Sequence, residues 1–310
     1  MTQEQAHFFE KRSYGVQFIY MLFFLPTGLL IFSLLAQGCA MLIWGNTSKL
    51  AGEPQIHYYW LTQLIGSLGT WLAPALLFSF LATGTVYTYS NADKTPKLKA
   101  VCLVILMAVA LLPVVGVLAY WNEQVHLPAA LSQVEEIMRQ MEESSDKVLE
   151  LMISAQGTGA LLANILILGA LPALCEEFFF RGAMQPLFEK WTGNKHTAVI
   201  ITAFIFSAVH FQFFGFVPRF LLGVYLGYLF VWSRSIWLSA TAHFMHNSLS
   251  VIVSYFTTQN GIDTDTMGWG EYIPHIIVSL FVVAYGIFLL YKMRVKEVCV
   301  ESVGEKTEME

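Results

Sequence analysis

Eight long apolar stretches constrain this chain more than any other feature. They run over residues 16–44, 59–88, 100–121, 157–180, 197–216, 219–233, 236–256 and 275–292. A helix needs about 20 residues to cross the hydrocarbon core of a bilayer, so each stretch is a candidate span. Composition agrees. Of the 310 residues, 56% are hydrophobic and 13% charged, against about 45–50% and about 25% in ordinary soluble domains. That balance excludes a disordered chain and a nucleic-acid binder and argues against a soluble enzyme. Four cysteines (Cys39, Cys102, Cys175, Cys299) lack CxxC spacing and imply neither a disulfide framework nor a Cys-based zinc site. The expected fold is all-α: a polytopic transmembrane helix bundle of about eight spans, lodged in a cell membrane such as a bacterial inner membrane.

Lys and Arg set the expected orientation. Lys11, Arg12, Lys94, Lys97, Lys99, Lys190, Lys195, Arg234, Lys292, Arg294, Lys296 and Lys306 fall on one side, 12 in number. Lys49, Arg139, Lys147 and Arg219 fall on the other, 4 in number, and Arg181 lies within an apolar stretch. Both termini are therefore expected in the cytoplasm. The chain divides into a three-span region at 1–156, a core at 157–256, and a last span with a charged cytoplasmic tail at 257–310. The long polar connection 122–156 repeats Leu131, Val134, Met138 and Met141 at helical spacing among Glu135, Glu136, Glu142, Glu143 and Asp146. It reads as an acidic amphipathic helix outside the cytoplasm, lying over the bundle.

Ionisable groups inside a span are costly and point to function. Of the 22 acidic residues, only Glu176 and Glu177 interrupt an apolar stretch, and they are joined there by Arg181. Three histidines, His210, His243 and His246, sit in apolar surroundings as well. Residues i and i+4 share a helix face, whereas i and i+1 point about 100° apart. Glu177 and Arg181 are thus the natural ion pair, and Glu176 is free to meet another helix. His243 and Asn247 are also i,i+4 and can aim into one cavity. Three helices can deliver a carboxylate, two imidazoles and an amide to one point. That set suits amide hydrolysis: Glu176 as general base on water, an imidazole to hold that water or protonate the leaving amine, and His243 with Asn247 as oxyanion donors. A lone intramembrane His is more often packing than chemistry, but five polar groups on three helices exceed what packing needs. His246 reads as structural. Phe178, Phe179, Phe180, Phe211, Phe213, Phe214 and Phe216 read as lipid-facing or packing surface rather than a substrate groove.

The motifs Glu176-Glu177-x-x-x-Arg181, Phe206-x-x-x-His210 and His243-x-x-x-Asn247, in this order on successive apolar segments, resemble those of the CPBP intramembrane proteases. That family includes the type II CAAX prenyl proteases and the bacteriocin self-immunity proteins of the Abi type. The resemblance covers about 160–256. It implies that Glu176 activates water with help from His210, that His243 and Asn247 stabilise the oxyanion, and that Glu177 and Arg181 support them. It implies either no cofactor or one divalent metal such as zinc on Glu176, His210 and His243, as in a metalloprotease. HExxH is absent, as is Gly-x-Ser-Gly, and no Asp lies in a span.

The expected protein is a hydrolase: a membrane endopeptidase acting on a membrane-associated peptide or protein within the lipid bilayer, with no nucleic-acid partner. Two rivals share the sequence. One is a non-catalytic scaffold or immunity protein of the same fold. The other is a proton-coupled transporter, against which stands the confinement of the polar groups to one half of the chain.

Overall fold

The computed structural model describes residues 8–9, 12–261 and 269–307, so Lys11 among the orienting charges lies outside the described residues. Nine principal helices follow one another: α1 (Tyr14–Trp44), α2 (Glu53–Thr83), α3 (Leu98–Glu123), α4 (Ser132–Ile153), α5 (Thr158–Thr192), α6 (Lys195–Ala208), α7 (Phe216–Ser233), α8 (Ile236–Asn260) and α9 (Trp269–Thr307). No strand occurs among the described residues.

Six helices are long and apolar enough to cross a membrane: α1, α2, α3, α5, α7 and residues Ile273–Met293 of α9. The other two expected spans also fold as helices but depart from the simple pattern. Helix α8 is long enough at 25 residues, and its polar side chains, among them His243, His246 and Asn247, dilute its apolarity. Helix α6 has only 14 residues, about 21 Å at 1.5 Å per residue. It ends at Ala208, so the expected span 197–216 is half helix and half irregular chain. Helix α5 corrects the sequence reading in the other direction. It continues past residue 180 to Thr192, which puts Glu176 near its middle.

Local chemistry explains the boundaries. Asn194 caps α6 by accepting from the N–H groups of His196 and Thr197, and Ser235 caps α8 by accepting from Trp237 N–H. Before each cap stands a residue in the left-handed region, Gly193 and Arg234, which stops the preceding helix. Both reversals are therefore tight, and they lay α5 against α6 and α7 against α8. Helices α2 and α5 contain widened π turns at Leu68–Leu72, Ile165–Ala170 and Phe180–Met184. Each is followed two residues on by a proline, Pro74, Pro172 and Pro186. A proline ring collides with the carbonyl four residues back, and an extra residue in the turn relieves that collision without ending the helix.

Two buried clusters fill the bundle. One is aromatic and joins α1, α2, α5 and α6 through Met21, Phe78, Phe179, Phe180, Leu187 and Phe206. The other joins α3, α7, α8 and α9 through Val104, Met107, Leu226, Leu229, Leu238 and Leu290. The polar cluster described below lies between them. Helices α1 and α2 meet at Gly28 and Gly69: a methyl group on Gly28 would strike the carbonyl of Gly69, and one on Gly69 would strike the Phe32 side chain. Close approach through small residues is the usual basis of helix association in lipid. Gly69→Ala is expected to destabilise the protein by about 1–3 kcal/mol through overpacking, read as a lowered melting midpoint in detergent. An unchanged midpoint would mean that the two helices part without loss.

Helix α4 forms over the expected acidic segment, and it docks through polar groups along its length and through the buried Met152 and Ile153 at its C-terminal end. Arg139 lies over the Phe214 ring at 3.9 Å, and the Glu142 carboxylate accepts from Phe214 N–H at 3.1 Å. The apolar residues Val134, Ile137 and Met141 are left exposed. At its start, Glu135 accepts from Leu127 N–H at 2.8 Å and from Arg139, with His126 alongside. These partners, the Arg139 hydrogen bond foremost, hold the Glu135 carboxyl down at about 2.

Candidate active site

The first carboxylate pair is set by the helix repeat. Glu177 and Arg181 lie one turn apart on α5, both fully buried, with Arg181 Nη1 donating to Glu177 Oε1 at 2.7 Å. Arg181 Nη2 donates to the Gly223 carbonyl of α7 at 3.0 Å. One turn further, Gln185 Nε2 donates to the Gly227 carbonyl at 3.2 Å. A side chain at Gly223 would press on Ala203 and Phe206 of α6, and one at Gly227 would strike Val199 of α6 and the Gln185 amide oxygen, so both glycines let α7 pack close to its neighbours. On its other side, Glu177 Oε1 meets His243 Nδ1 of α8 at 3.0 Å. One buried carboxylate therefore holds a guanidinium and an imidazole, and ties α5 to both α7 and α8.

Glu176 points the other way. Its Oε1 lies 4.0 Å from His210 Nε2 and its Oε2 lies 3.9 Å from His243 Nε2, with its side chain 10% exposed. It makes no direct hydrogen bond to either ring at those distances. A single water about 2.8 Å from two groups 4.0 Å apart would see them at about 90°, a workable hydrogen-bonding angle.

His210 occupies the turn after α6 rather than the helix itself. Its Nδ1 lies 2.6 Å from the Phe206 carbonyl. A carbonyl only accepts, so Nδ1 carries the proton and Nε2, toward Glu176, presents a lone pair in the neutral ring. The Phe-x-x-x-His spacing thus acquires a physical meaning: the imidazole reaches back four residues and takes up a carbonyl left over at the helix end. The Phe206 ring packs edge-on against His210 and His243 at 5.1 and 5.9 Å and lies under the Arg181 guanidinium at 4.8 Å. Trp71 of α2 stacks on His210 from outside this core, at 6.4 Å.

The chain between α6 and α7 is irregular yet satisfied. Asn122, at the end of α3, donates to Phe213 O and accepts from Val217 N–H, both at 2.8 Å. With Glu142 on Phe214, these bonds supply the partners that irregular backbone requires at membrane depth. The Glu142 carboxyl is raised above the ordinary range, chiefly by burial.

Five of the six expected residues, Glu176, Glu177, Arg181, His210 and His243, meet here. Asn247 is one turn beyond His243 on α8 and makes no hydrogen bond with the described residues. His246 is partly buried with Nδ1 lacking a partner. Phe179, Phe180 and Phe214 are packed inside as expected, whereas Phe211 is exposed. Arg219 went unnoticed in the sequence, where it counts merely as a loop cation. It donates to Gln212 Oε1 at 2.6 Å and lies within electrostatic reach of Glu176, His210 and Glu142. Its lone cue was being a basic residue in an otherwise apolar stretch.

Zinc ligands at about 2.0–2.1 Å in a tetrahedron stand about 3.3 Å from one another, closer than Glu176 stands to either histidine. Among the described residues, no group of three His, Cys, Asp or Glu is placed to hold a metal ion. As arranged, Glu176, His210 and His243 do not form the metal site that a metalloprotease would need.

No curated protein and no solved structure matches the chain. Residues 158–249 match the family model of the Rce1-like type II CAAX prenyl endopeptidases, consistent with the CPBP family that the three motifs resemble, and this segment carries all six expected site residues.

Proposed function

We propose that this multi-pass membrane protein is an endopeptidase that hydrolyses a peptide bond of a membrane-associated peptide or protein with a water activated by Glu176, without a cofactor. The observation that carries the reading is the placement of the Glu176 carboxylate 4.0 and 3.9 Å from Nε2 of His210 and His243, separations that one water can bridge. That water donates one proton toward Glu176 and the other to the His210 lone pair, leaving its own lone pair for the scissile carbonyl. Glu176 takes the proton as the C–O bond forms and the carbonyl oxygen becomes an oxyanion. His243 is flanked by both carboxylates: its doubly protonated form would keep Nδ1–H on Glu177 and donate Nε2–H to the oxyanion, with the Asn247 amide as second donor. The proton held by Glu176 then passes to the departing amine as the C–N bond breaks. Glu177 and Arg181 touch no reacting atom in this scheme. They position His243.

The match to CAAX endopeptidases supports a substrate ending in Cys followed by two aliphatic residues and a variable one, prenylated on the cysteine. Reconstituted in liposomes, the protein is expected to cleave an internally quenched peptide of that kind, and to cleave the farnesylated form faster than the unmodified form. If the folded protein cleaves neither, the scaffold or immunity reading replaces the protease one. Cleavage of unmodified peptides alone would keep the protease and remove the prenyl requirement.

A further inference from the structure

A second built site lies at the end of the bundle that carries the α7–α8 reversal. The segment between α2 and α3 is fixed there from outside itself: Trp237 Nε1 donates to Ala92 O at 2.8 Å, and Ser235 Oγ donates to Lys94 O at 2.5 Å. This wall, the first turn of α3, the end of α7 and the side of α9 enclose a cavity of about 370 Å³. Its floor is apolar, formed by Leu229, Leu238 and Leu290, and Lys94, Lys97 and Arg234 line it above. Asp93, 3.3 Å from Lys94, is the one acid lining it among the described residues. Across the contact between α3 and α9 runs a groove of about 480 Å³, lined by Leu103, Leu106 and Leu289 and by the side chains of Lys99 and Lys292. Met293 borders both spaces.

Among the described side chains, Lys94, Arg234, Lys99 and Lys292 stand against one carboxylate, Asp93, around the two spaces, and an anion relieves their mutual repulsion. Both spaces lie at the level of a membrane surface. Trp232 lines the cavity, stacks on Tyr228 at 5.4 Å and meets Tyr291 at 6.4 Å, and such aromatic residues gather where the bilayer meets water. A ligand matching these walls has a negative head of phosphate size and an apolar chain. The cytoplasmic leaflet is rich in such molecules, and these same cations are among those assigned to that side. We propose that the two spaces together bind one anionic phospholipid, with its phosphate between Lys94 and Arg234 and an acyl chain along α3 and α9. This site is independent of the catalytic reading: it shares no residue with the cluster around Glu176.

The full-length protein, purified in a neutral detergent, tests the proposal by native mass spectrometry and by its melting midpoint with three separate additions: phosphatidylglycerol, phosphatidylcholine and inorganic phosphate. Phosphatidylglycerol is expected to remain bound and to raise the midpoint, while the other two do neither. In the double variant Lys94→Gln, Arg234→Gln, affinity for phosphatidylglycerol should fall about thirtyfold, since each cation at a membrane surface contributes on the order of fivefold. Should that variant not fold, Lys99→Gln with Lys292→Gln at the groove reports on the same ligand with a smaller loss. Equal stabilisation by inorganic phosphate would overturn the lipid assignment in favour of a free anion. Equal binding of phosphatidylcholine, or undiminished phosphatidylglycerol binding by both double variants, would overturn the site.

Discussion

Replacing Glu176 by Gln is expected to reduce peptide hydrolysis by at least about 10²-fold while leaving a protein that inserts and purifies as before. Glutamine keeps the shape of the side chain and loses the capacity to take a proton from water. The fold has little at stake in the charge, because neither histidine is within direct hydrogen-bonding distance of this carboxylate: the separations are 4.0 and 3.9 Å. Activity on a fluorogenic peptide and the elution profile in detergent should therefore part company, the first collapsing and the second unchanged. Activity within a few-fold of the wild type would remove Glu176 from the role of general base.

Glu177 and Arg181 should behave in the opposite way. Both are fully buried and 2.7 Å apart, and each holds a further group, His243 for the one and the Gly223 carbonyl for the other. Removing one partner of such a pair strands a charge and costs about 3–5 kcal/mol. Glu177→Ala and Arg181→Ala should each lower the melting midpoint in detergent substantially. The double variant should lose much less than the sum, because no charge is then left alone. Additive losses would show that the pair is not coupled. The milder Glu177→Gln keeps an acceptor for both neighbours but still leaves the Arg181 charge without a counter-ion, so it should lower the midpoint less than Glu177→Ala and lose activity through a misplaced His243.

These two carboxylates also show where sequence reasoning succeeds. The division of labour between adjacent glutamates followed from helix geometry alone, since a 100° step separates their directions and a four-residue step unites Glu177 with Arg181. The all-helical architecture was legible for a similar reason, because apolar length is a local property. What escaped depends on neighbours. Helix α5 runs on to Thr192 although Arg181, Gln185 and Lys190 break its apolar pattern, and the first two are satisfied by carbonyls of α7 that no local signal announces. The end of α6 at Ala208 rests on partners from α3 and α4, Asn122 and Glu142, more than 70 residues away in sequence. Helix α4 shows its amphipathic repeat plainly, yet the repeat alone could not say that Arg139 and Glu142 would dock on Phe214. Arg219 looked like any loop cation until the fold carried it beside the cluster.

The hydrogen bond from His210 to the Phe206 carbonyl bears on how such a chain can change over time. Position 210 answers two demands at once, closing a helix end and presenting a lone pair to water. A side chain that donates but has no second ring nitrogen, such as Asn or Gln, could keep the first and drop the second. The lineage would then retain a sound membrane protein with its peptidase silenced by one substitution, a short route from an enzyme to a binding protein built on the same helices. Among related chains, the residue four places after this phenylalanine should therefore separate those that cut from those that only bind.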